Sequence, residues 1–235
     1  MNFTLLEIKK LEGIIILKSG LHIGSGNMEM HIGGTDSPVI KHPHTLEPYI
    51  PGSSLKGKVR SPSGLVPYSD NNGGIVSLKT VKKVKNENTN LVKEATDILK
   101  IFGYSGADSE DAEDIGPTRV SFGDCYLDEE WKKKAQANCW QLTEVKSENS
   151  INRIKGTAEN PHFIERVTEG TKFSFNITFK ILEKSDEQLF EKLLKCLKLL
   201  EMDSLGGNGS RGYGRVKFEF KDPKITEEFA NLKPF

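Results

Sequence analysis

The segment that most constrains the fold is residues 172–220, because its hydrophobic period changes twice. In KFSFNITFKI, five apolar side chains alternate with polar ones, and this alternation predicts a half-buried strand. In SDEQLFEKLLKCLKLLEM, apolar residues recur at helical spacing after an N-cap at Ser185 or Asp186. A glycine-rich loop and the short strand RVKFEF follow. This order of strand, helix, loop and strand predicts one half of a ferredoxin-like fold.

The N-terminal half carries patterns for the remaining elements. GIIILKSGLHIG predicts a strand, a short helix is expected to begin near Ser53 or Ser54, and TRVSFGDCYL (118–127) predicts a further strand. NTNLVKEATDILKIFG predicts a helix that ends at Gly103, and its polarity indicates a peripheral insertion. These elements can complete the ferredoxin-like pattern.

Two regions depart from regular patterns. Pro62 and Pro67 are expected to stop the preceding helix at or before Ser61. Residues 128–170 are polar, mixed in charge and without sustained periodicity. Such a stretch is too long for an ordinary loop in a compact domain, so we expect a projecting functional hairpin or lid.

Composition excludes several classes of protein. The 33 basic and 33 acidic residues argue against a freestanding, salt-driven nucleic-acid binder, although a basic groove on one face stays possible. No apolar run approaches the roughly 20 residues of a membrane span, and MNFTLLEIKK does not resemble a signal peptide, so we expect a cytoplasmic protein. Cys125, Cys139 and Cys196 form no CxxC pair, which argues against a zinc ribbon or a disulfide framework.

The loop LGGNGSRGYGR is the sharpest chemical signal in the chain. Its glycines permit positive φ angles and close approach of backbone to a ligand, and its guanidiniums can pair with phosphates beside a ring that could stack a base. The loop follows a helix and precedes a strand, so it is neither a Walker loop nor a Rossmann turn. The residues expected to bind a phosphate backbone here are Gly207, Gly209, Arg211, Gly212, Tyr213 and Arg215.

A second candidate anion site is the predicted helix start in PGSSLKGKVR. The first turn of a helix offers free backbone donors, to which Ser53 and Ser54 add hydroxyls. Lys56, Lys58 and Arg60 follow within two turns. A charged surface helix would explain this pattern equally well.

Asp36 and the histidines are ambiguous on sequence alone. Asp36 lies in the turn GGTDSP, where an aspartate normally bonds its own backbone. The neighbouring histidines lack zinc spacing to any cysteine and are expected to be dispersed on the surface. They are His22, His31, His42 and His44.

Taken together, five blocks resemble the RAMP superfamily, and in particular the Csm-type crRNA-binding backbone subunits of type III-A CRISPR effector complexes. The blocks are GLHIG, IGGTDSPVI, EPYIPGSSLKGKVR, GTAENPHFIERV and LGGNGSRGYGRV, and they occur in the family's order over most of the chain. Each block alone is a weak signal, whereas their combination is highly specific.

The resemblance implies an α+β fold with a ferredoxin-like (RRM-like) palm, an inserted helical segment and a projecting thumb hairpin. Copies of such a subunit stack along one crRNA, and each thumb pushes between bases and kinks the guide–target duplex. The single RAMP domain would span residues 1–235, with its core at about 1–60, 115–127 and 170–222, the insertion at about 62–114 and the thumb at about 128–170.

The resemblance also implies a function. The chain would be the repeated subunit that binds crRNA and, as a metal-dependent endoribonuclease active within the assembled complex, cleaves complementary target RNA at regular intervals. Asp36 would be the catalytic residue and would bind a divalent ion, Mg²⁺ or Mn²⁺. His22, the serines and cations of PGSSLKGKVR and the glycine-rich loop would face RNA. The expected partners are crRNA, target RNA, further copies of the chain and other subunits of the complex.

Two alternatives stay open from sequence. One is a non-catalytic crRNA-binding scaffold, although an aspartate at position 36 favours the nuclease. The other is a crRNA-processing endonuclease that uses histidine or tyrosine as general acid and base. Glu159, His162 and Glu165 lie in a family-like block and could assist Asp36, but surface salt bridges would explain them equally well.

Overall fold

The structure is a computed structural model that describes residues 3–26, 35–64, 76–84, 89–104 and 115–234. Within these ranges, none of the helices combines the length and apolar character that crossing a bilayer requires. No disulfide joins the described cysteines, of which Cys125 and Cys196 are buried and Cys139 is exposed.

A five-stranded antiparallel sheet and a separate two-stranded hairpin carry the β structure of the described residues. The sheet runs in the order β2–β6–β1–β7, and β3 also pairs with β6. The β4–β5 hairpin pairs only with itself along its ladder. The strands are β1 (Glu7–Leu17), β2 (Val120–Phe122), β3 (Tyr126–Leu127), β4 (Thr143–Asn152), β5 (Thr157–Val167), β6 (Lys172–Ile181) and β7 (Val216–Phe220).

The helices pack on one another and on the sheet. α1 contacts both α3 and α5, and α5 contacts β6 and β7. The predicted apolar spacing of α5 is confirmed, since the residues at that spacing are buried: Leu189, Phe190, Leu193, Leu194, Leu197 and Leu200. The helices are α1 (Gly52–Gly64), α2 (Leu78–Val84), α3 (Thr89–Phe102), α4 (Glu129–Ala137), α5 (Asp186–Met202) and α6 (Pro223–Asn231).

The central strand β1 shows why the sheet forms. Leu11 and Ile15 are fully buried and lie opposite Ile177 and Phe173 of β6. Because successive side chains of a strand point to opposite faces, this register places the apolar sets of both strands on the side that the helices cover. The period-2 pattern of KFSFNITFKI is therefore confirmed residue by residue.

An ion pair buried in the core ties β2 to α5. Arg119 and Asp186 have fully buried side chains, and Arg119 Nε lies 3.4 Å from Asp186 Oδ2. Arg119 Nη1 also donates to the carbonyls of Ile115 and Pro117, both at 2.7 Å. Ser185 stands at the N-cap without a side-chain capping bond, while Asp186 Oδ2 accepts the Leu182 amide at 2.8 Å.

The structure corrects several expected boundaries. α1 continues to Gly64, so Pro62 does not end it; a proline removes a single backbone donor, and the helix runs two residues further. Pro67 lies outside the described residues. The expected strand over 118–127 is divided into β2 and β3, which pair with β6 on either side of Gly123–Cys125.

The helix that ends before Gly103 is confirmed, but its peripheral placement is wrong. Gly103 has φ +85°, the left-handed stop that the sequence predicts. Ile98, Leu99 and Phe102 are buried in the same hydrophobic core as the sheet. The polar stretch over 128–170 contains α4 and the β4–β5 hairpin, whose turn exposes 98% of Ile154.

Candidate functional site

A groove of about 510 Å³ lies between the start of α1, the segment that follows β1 and the glycine-rich loop. We call it the α1 groove. Five residues predicted to bind RNA from three separate sequence blocks line it together: His22, Ser53, Ser54, Lys58 and Gly207. Its other lining residues are Ile23, Gly24, Gly57 and Gly206.

The backbone donors at the start of α1 are largely occupied. The Gly52 amide donates to Asp124 Oδ1 at 2.7 Å, and the Ser54 and Leu55 amides donate to the Pro51 carbonyl. Asp124 therefore already supplies the anion that a helix start favours. What the first turn offers to the groove is the side chains of Ser53 and Ser54 rather than an open set of amides.

The three predicted cations of α1 have different environments. Lys58 lines the α1 groove, and its Nζ lies 2.8 Å from Asp203 Oδ2. Lys56 is half-buried, and burial, together with the charge of Arg60, lowers its pKa. Arg60 Nη2 donates to the Val76 carbonyl at 2.7 Å, and burial lowers the pKa of Arg60. Arg60 thus holds α1 to the segment before α2 and does not line the groove.

His22 is buried rather than on the surface, which corrects the sequence expectation. It is 8% exposed, with Nδ1 at 2.7 Å from the Glu165 carbonyl and Nε2 at 3.2 Å from Ser37 Oγ. Its own carbonyl accepts the Gly207 amide at 2.9 Å. His22 therefore joins the hairpin, the Asp36 segment and the glycine-rich loop.

The remaining histidines do not form a metal site in the part of the chain that the structure describes. His42 and His44 lie with ring centroids 5.5 Å apart, beside Tyr126. His31 lies outside the described residues.

The glycine-rich loop needs glycine where it approaches the segment after β1. Gly206 has φ +74°, and a Cβ there would lie 2.3 Å from the His22 carbonyl oxygen. Beyond it, Gly209–Arg211 form a 3₁₀ turn that ends at Gly212 with φ +84°. The predicted close backbone approach is thus made to the protein's own chain at Gly206, which forms a wall of the α1 groove.

Tyr213 cannot stack a base as the sequence analysis expects, because it is fully buried. Its hydroxyl donates to Glu148 Oε1 at 2.9 Å, and Lys146 and Arg166 lie over its ring at 4.6 and 5.0 Å. Burial and the hydrogen bond to Glu148 raise the pKa of Tyr213 to about 12.

The two arginines of the loop are more accessible. Arg211 keeps 59% of its side chain exposed, and its Nη1 lies 2.6 Å from Glu148 Oε2. Arg215 is exposed, and its backbone amide donates to Ser19 Oγ at 3.0 Å.

Asp36 is exposed, and the hairpin holds its carboxylate. Its Oδ2 accepts the Phe163 amide at 2.9 Å. Next to it, Ser37 forms a parallel bridge with Ile164, and its carbonyl accepts the Glu165 amide at 3.0 Å. The turn therefore presents one acidic side chain beside the groove wall formed by His22.

Glu165 anchors this segment, a role that sequence alone does not separate from a surface salt bridge. It is 8% exposed; its Oε2 accepts the Val39 amide at 3.0 Å and its Oε1 accepts Lys41 Nζ at 2.6 Å. Burial opposes its ionisation, but these hydrogen bonds outweigh burial and hold the pKa of Glu165 below its ordinary value. Glu159 and His162 are exposed.

Three carboxylates of the site were not assigned from the sequence: Asp124, Glu148 and Asp203. Each lies far in sequence from the group it bonds, so no local pattern marks it. These carboxylates are therefore identified only from the structure.

Comparison with known proteins agrees with this arrangement of sheet, groove and loops. The model of the RAMP superfamily matches residues 15–217 of the chain. That range includes the Asp36 turn, the α1 groove and the whole glycine-rich loop.

Two relatives extend the match, both named "CRISPR system Cms endoribonuclease Csm3". The protein from Methanocaldococcus jannaschii is 40% identical over 222 residues, covering 92% of this chain and 81% of its own length. The protein from Streptococcus thermophilus is 38% identical over 227 residues, covering 94% and 91%.

Among solved structures, Csm3 of Methanopyrus kandleri aligns with a TM-score of 0.59 at 26% identity, over 91% of this chain and 75% of that one. A chain of the Csm3–Csm4 subcomplex of a type III-A CRISPR–Cas interference complex aligns with a TM-score of 0.53 at 26% identity, over 98% of both. The chain belongs to the RAMP superfamily and, within it, to the Csm3 family.

Proposed function

We propose that the chain is a repeated backbone subunit of a type III-A CRISPR ribonucleoprotein, which binds crRNA and cleaves complementary target RNA at regular intervals through Asp36. The observation that carries the proposal is the placement of Asp36. Its exposed carboxylate accepts a main-chain amide of β5, and the next residue, Ser37, hydrogen-bonds His22, which lines a groove that gathers residues predicted to bind RNA from three sequence blocks. The relatives named as Csm3 endoribonucleases support the activity, and the Csm3–Csm4 subcomplex supports assembly with further subunits.

In this proposal the five-stranded sheet is the ferredoxin-like (RRM-like) palm and the β4–β5 hairpin is the thumb. The strand order β2–β6–β1–β7 and the helices that follow β1 and β6 support this assignment. The domain boundaries expected from sequence, with an insertion over about 62–114 and a thumb over about 128–170, remain part of the proposal.

The α1 groove is the proposed path of the crRNA backbone. Ser53, Ser54 and Lys58 offer hydroxyl and ammonium donors to phosphate, and the exposed Arg211 and Arg215 continue the positive charge along the loop. Phosphate contacts of this kind hold a strand without reading its sequence, as a guide-binding subunit requires. His22 and Tyr213 support this surface from beneath rather than contacting bases.

Asp36 is the proposed catalytic residue at a kinked phosphodiester of the target. A kink can bring a ribose 2′-OH into line with the adjacent phosphorus, and the Asp36 carboxylate can orient that hydroxyl. One carboxylate together with RNA phosphates is a mode in which Mg²⁺ is commonly bound, so Asp36 fits a divalent ion shared with substrate. When bound, such an ion supplies positive charge to the phosphate. Attack of the 2′-oxygen on phosphorus breaks the P–O5′ bond, and the leaving oxygen takes up a proton, so the expected fragments end in a 2′,3′-cyclic phosphate and a 5′-hydroxyl.

The test is a reconstituted complex that carries Asp36→Ala. Target cleavage is expected to fall by about 100-fold or more, the loss typical for removal of a charge-stabilising or proton-transferring group. Binding of crRNA and target is expected to persist in gel-shift assays. Glu228→Ala, which removes an exposed carboxylate on α6 outside every block predicted to bind RNA, is the control and should cleave normally.

Three results would contradict the proposal. Cleavage by the Asp36→Ala complex at the control rate would remove the catalytic assignment and leave a crRNA-binding scaffold. Fragments that end in 3′-hydroxyl and 5′-phosphate would reject the 2′-OH as nucleophile. Metal-independent cutting of repeat RNA by the isolated chain would favour a processing enzyme, a role for which buried His22 and Tyr213 are poorly placed.

A further inference from the structure

Two of the cations predicted to hold RNA are each bound to a carboxylate of the protein itself. Lys58 Nζ lies 2.8 Å from Asp203 Oδ2, and Arg211 Nη1 lies 2.6 Å from Glu148 Oε2. We call Asp203 and Glu148 the competing carboxylates. A carboxylate and a phosphate oxygen present the same charge and the same acceptor geometry to these donors.

The two pairs connect the glycine-rich loop to its neighbours on both sides. Asp203 stands where α5 ends and the loop begins, and it reaches to Lys58 on α1. Arg211 stands in the 3₁₀ turn of the loop and reaches to Glu148 on β4. Asp203 therefore occupies a donor that lines the α1 groove, and Glu148 occupies a donor on the glycine-rich loop, where the proposed RNA path continues.

Both pairs are open enough to be exchanged. Asp203 is 52% exposed, so water can solvate it when Lys58 leaves. Glu148 would keep the Tyr213 hydroxyl at 2.9 Å and Lys146 at 3.2 Å after Arg211 leaves, so its charge would stay compensated. Each pair has one strongly exposed member, Asp203 or Arg211, and ion pairs at the surface contribute little to stability, so a phosphate contact can replace them.

We propose that Asp203 and Glu148 are built-in competitors of RNA phosphate that keep the RNA affinity of a single copy low. This inference rests on the proposed binding of RNA in the α1 groove. A strand must displace both carboxylates to engage both cations, so each copy binds weakly. Retention of a strand then depends on several copies acting along it, because linked sites multiply their individual affinities.

The first experiment measures binding of the purified chain to a fluorescently labelled single-stranded RNA 12-mer at fixed salt. Asp203→Asn and Glu148→Gln are each expected to raise the affinity roughly two- to fivefold, and the double variant is expected to show the product of the two gains. Glu219→Gln, which removes the same charge from the Lys217–Glu219 pair on β7, is the matched control and should change the affinity less than either.

A thermodynamic cycle separates competition from a loosened loop. Lys58→Ala is expected to lower the RNA affinity at least twofold more in the Asp203→Asn background than in the unaltered chain. Equivalently, Asp203→Asn should give no gain beyond the Glu219→Gln control once Lys58 is absent. Arg211→Ala and Glu148→Gln should behave in the same way. If the carboxylate variants only loosened the loop, RNA affinity would change by the same factor whether or not the partner cation is present.

The outcomes distinguish this inference from the function on which it rests. If the unaltered chain binds RNA and the two variants match the Glu219→Gln control or bind more weakly, the competing role is wrong while RNA binding stands. If Lys58→Ala and Arg211→Ala leave RNA affinity unchanged in every background, the groove is not the RNA site and the proposed function loses its binding surface. Gains in RNA affinity that disappear when the partner cation is replaced by alanine support the inference.

Discussion

The core and the groove each contain an ion pair, and the two differ mainly in burial. Arg119 and Asp186 are fully buried, whereas Lys58 and Asp203 keep 28% and 52% of their side chains exposed. Breaking a buried pair leaves an uncompensated charge away from water, which is costly, while an exposed pair can trade its partner for water or a ligand. The same chemistry therefore fixes the fold in one place and can be exchanged in the other.

The largest expected effect comes from the core pair. Asp186→Asn should lower the free energy of unfolding by about 3 kcal/mol, because buried Arg119 then keeps only the partly exposed Glu183, 3.6 Å from its Nη2, as a counter-charge. Urea denaturation followed by circular dichroism measures the change. Glu187→Gln, one residue further on, breaks the surface pair with Lys9 and should cost less than about 1 kcal/mol. Equal losses in the two variants would show that burial does not govern these pairs.

Glu165 is intermediate between the buried core pair and the exposed groove pair. It is 8% exposed and is bonded to Lys41 at the groove margin. Glu165→Gln should cost about 1.5–3 kcal/mol near neutral pH, the range for a hydrogen bond to a charged group. The pKa of Glu165 is lowered in the folded state, so this stability is present above the ordinary value of 4.5 and is lost as pH falls through the folded pKa.

The measurement is the difference in unfolding free energy between the unaltered chain and Glu165→Gln from pH 7 down to pH 3. The difference should be constant above about pH 5.5 and should shrink below pH 4.5. A gap that widened with acid would mean that Glu165 is not stabilised in its ionised form.

The smallest expected effect concerns Tyr213. Tyr213→Phe removes the hydroxyl that donates to Glu148 and should cost about 1 kcal/mol in unfolding free energy. The cost should diminish in a Glu148→Gln background, because the acceptor is then uncharged. The same denaturation assay on the four members of this cycle checks the coupling. Additive losses would show that the hydroxyl and the carboxylate act independently.

The sequence predicts those elements that bury one face, because their apolar residues recur with a regular period. The alternation of β6 and the spacing of α5 are read correctly because the core imposes a period on them. Two features depend on tertiary pairing and packing that local propensity does not encode. They are the interruption between β2 and β3 and the continuation of α1 past Pro62.

The candidate site divides in the same way. The sequence blocks indicate its donors, and the structure brings His22, Ser53, Ser54, Lys58 and Gly207 to one groove. The environment of each donor could not be predicted, because it depends on contacts between distant segments. Burial removes the Tyr213 ring from contact with bases, and the Val76 carbonyl engages Arg60.

The central position of β1 has a consequence for how the chain acquires its structure. Both hydrogen-bonded neighbours of β1, β6 and β7, come from the last third of the sequence. Contacts between such distant segments form slowly, because a long loop must close before they stabilise anything. During synthesis this apolar strand has no neighbour in the sheet until β6 has emerged, so a chain arrested between α4 and β6 exposes an unpaired apolar strand that favours aggregation.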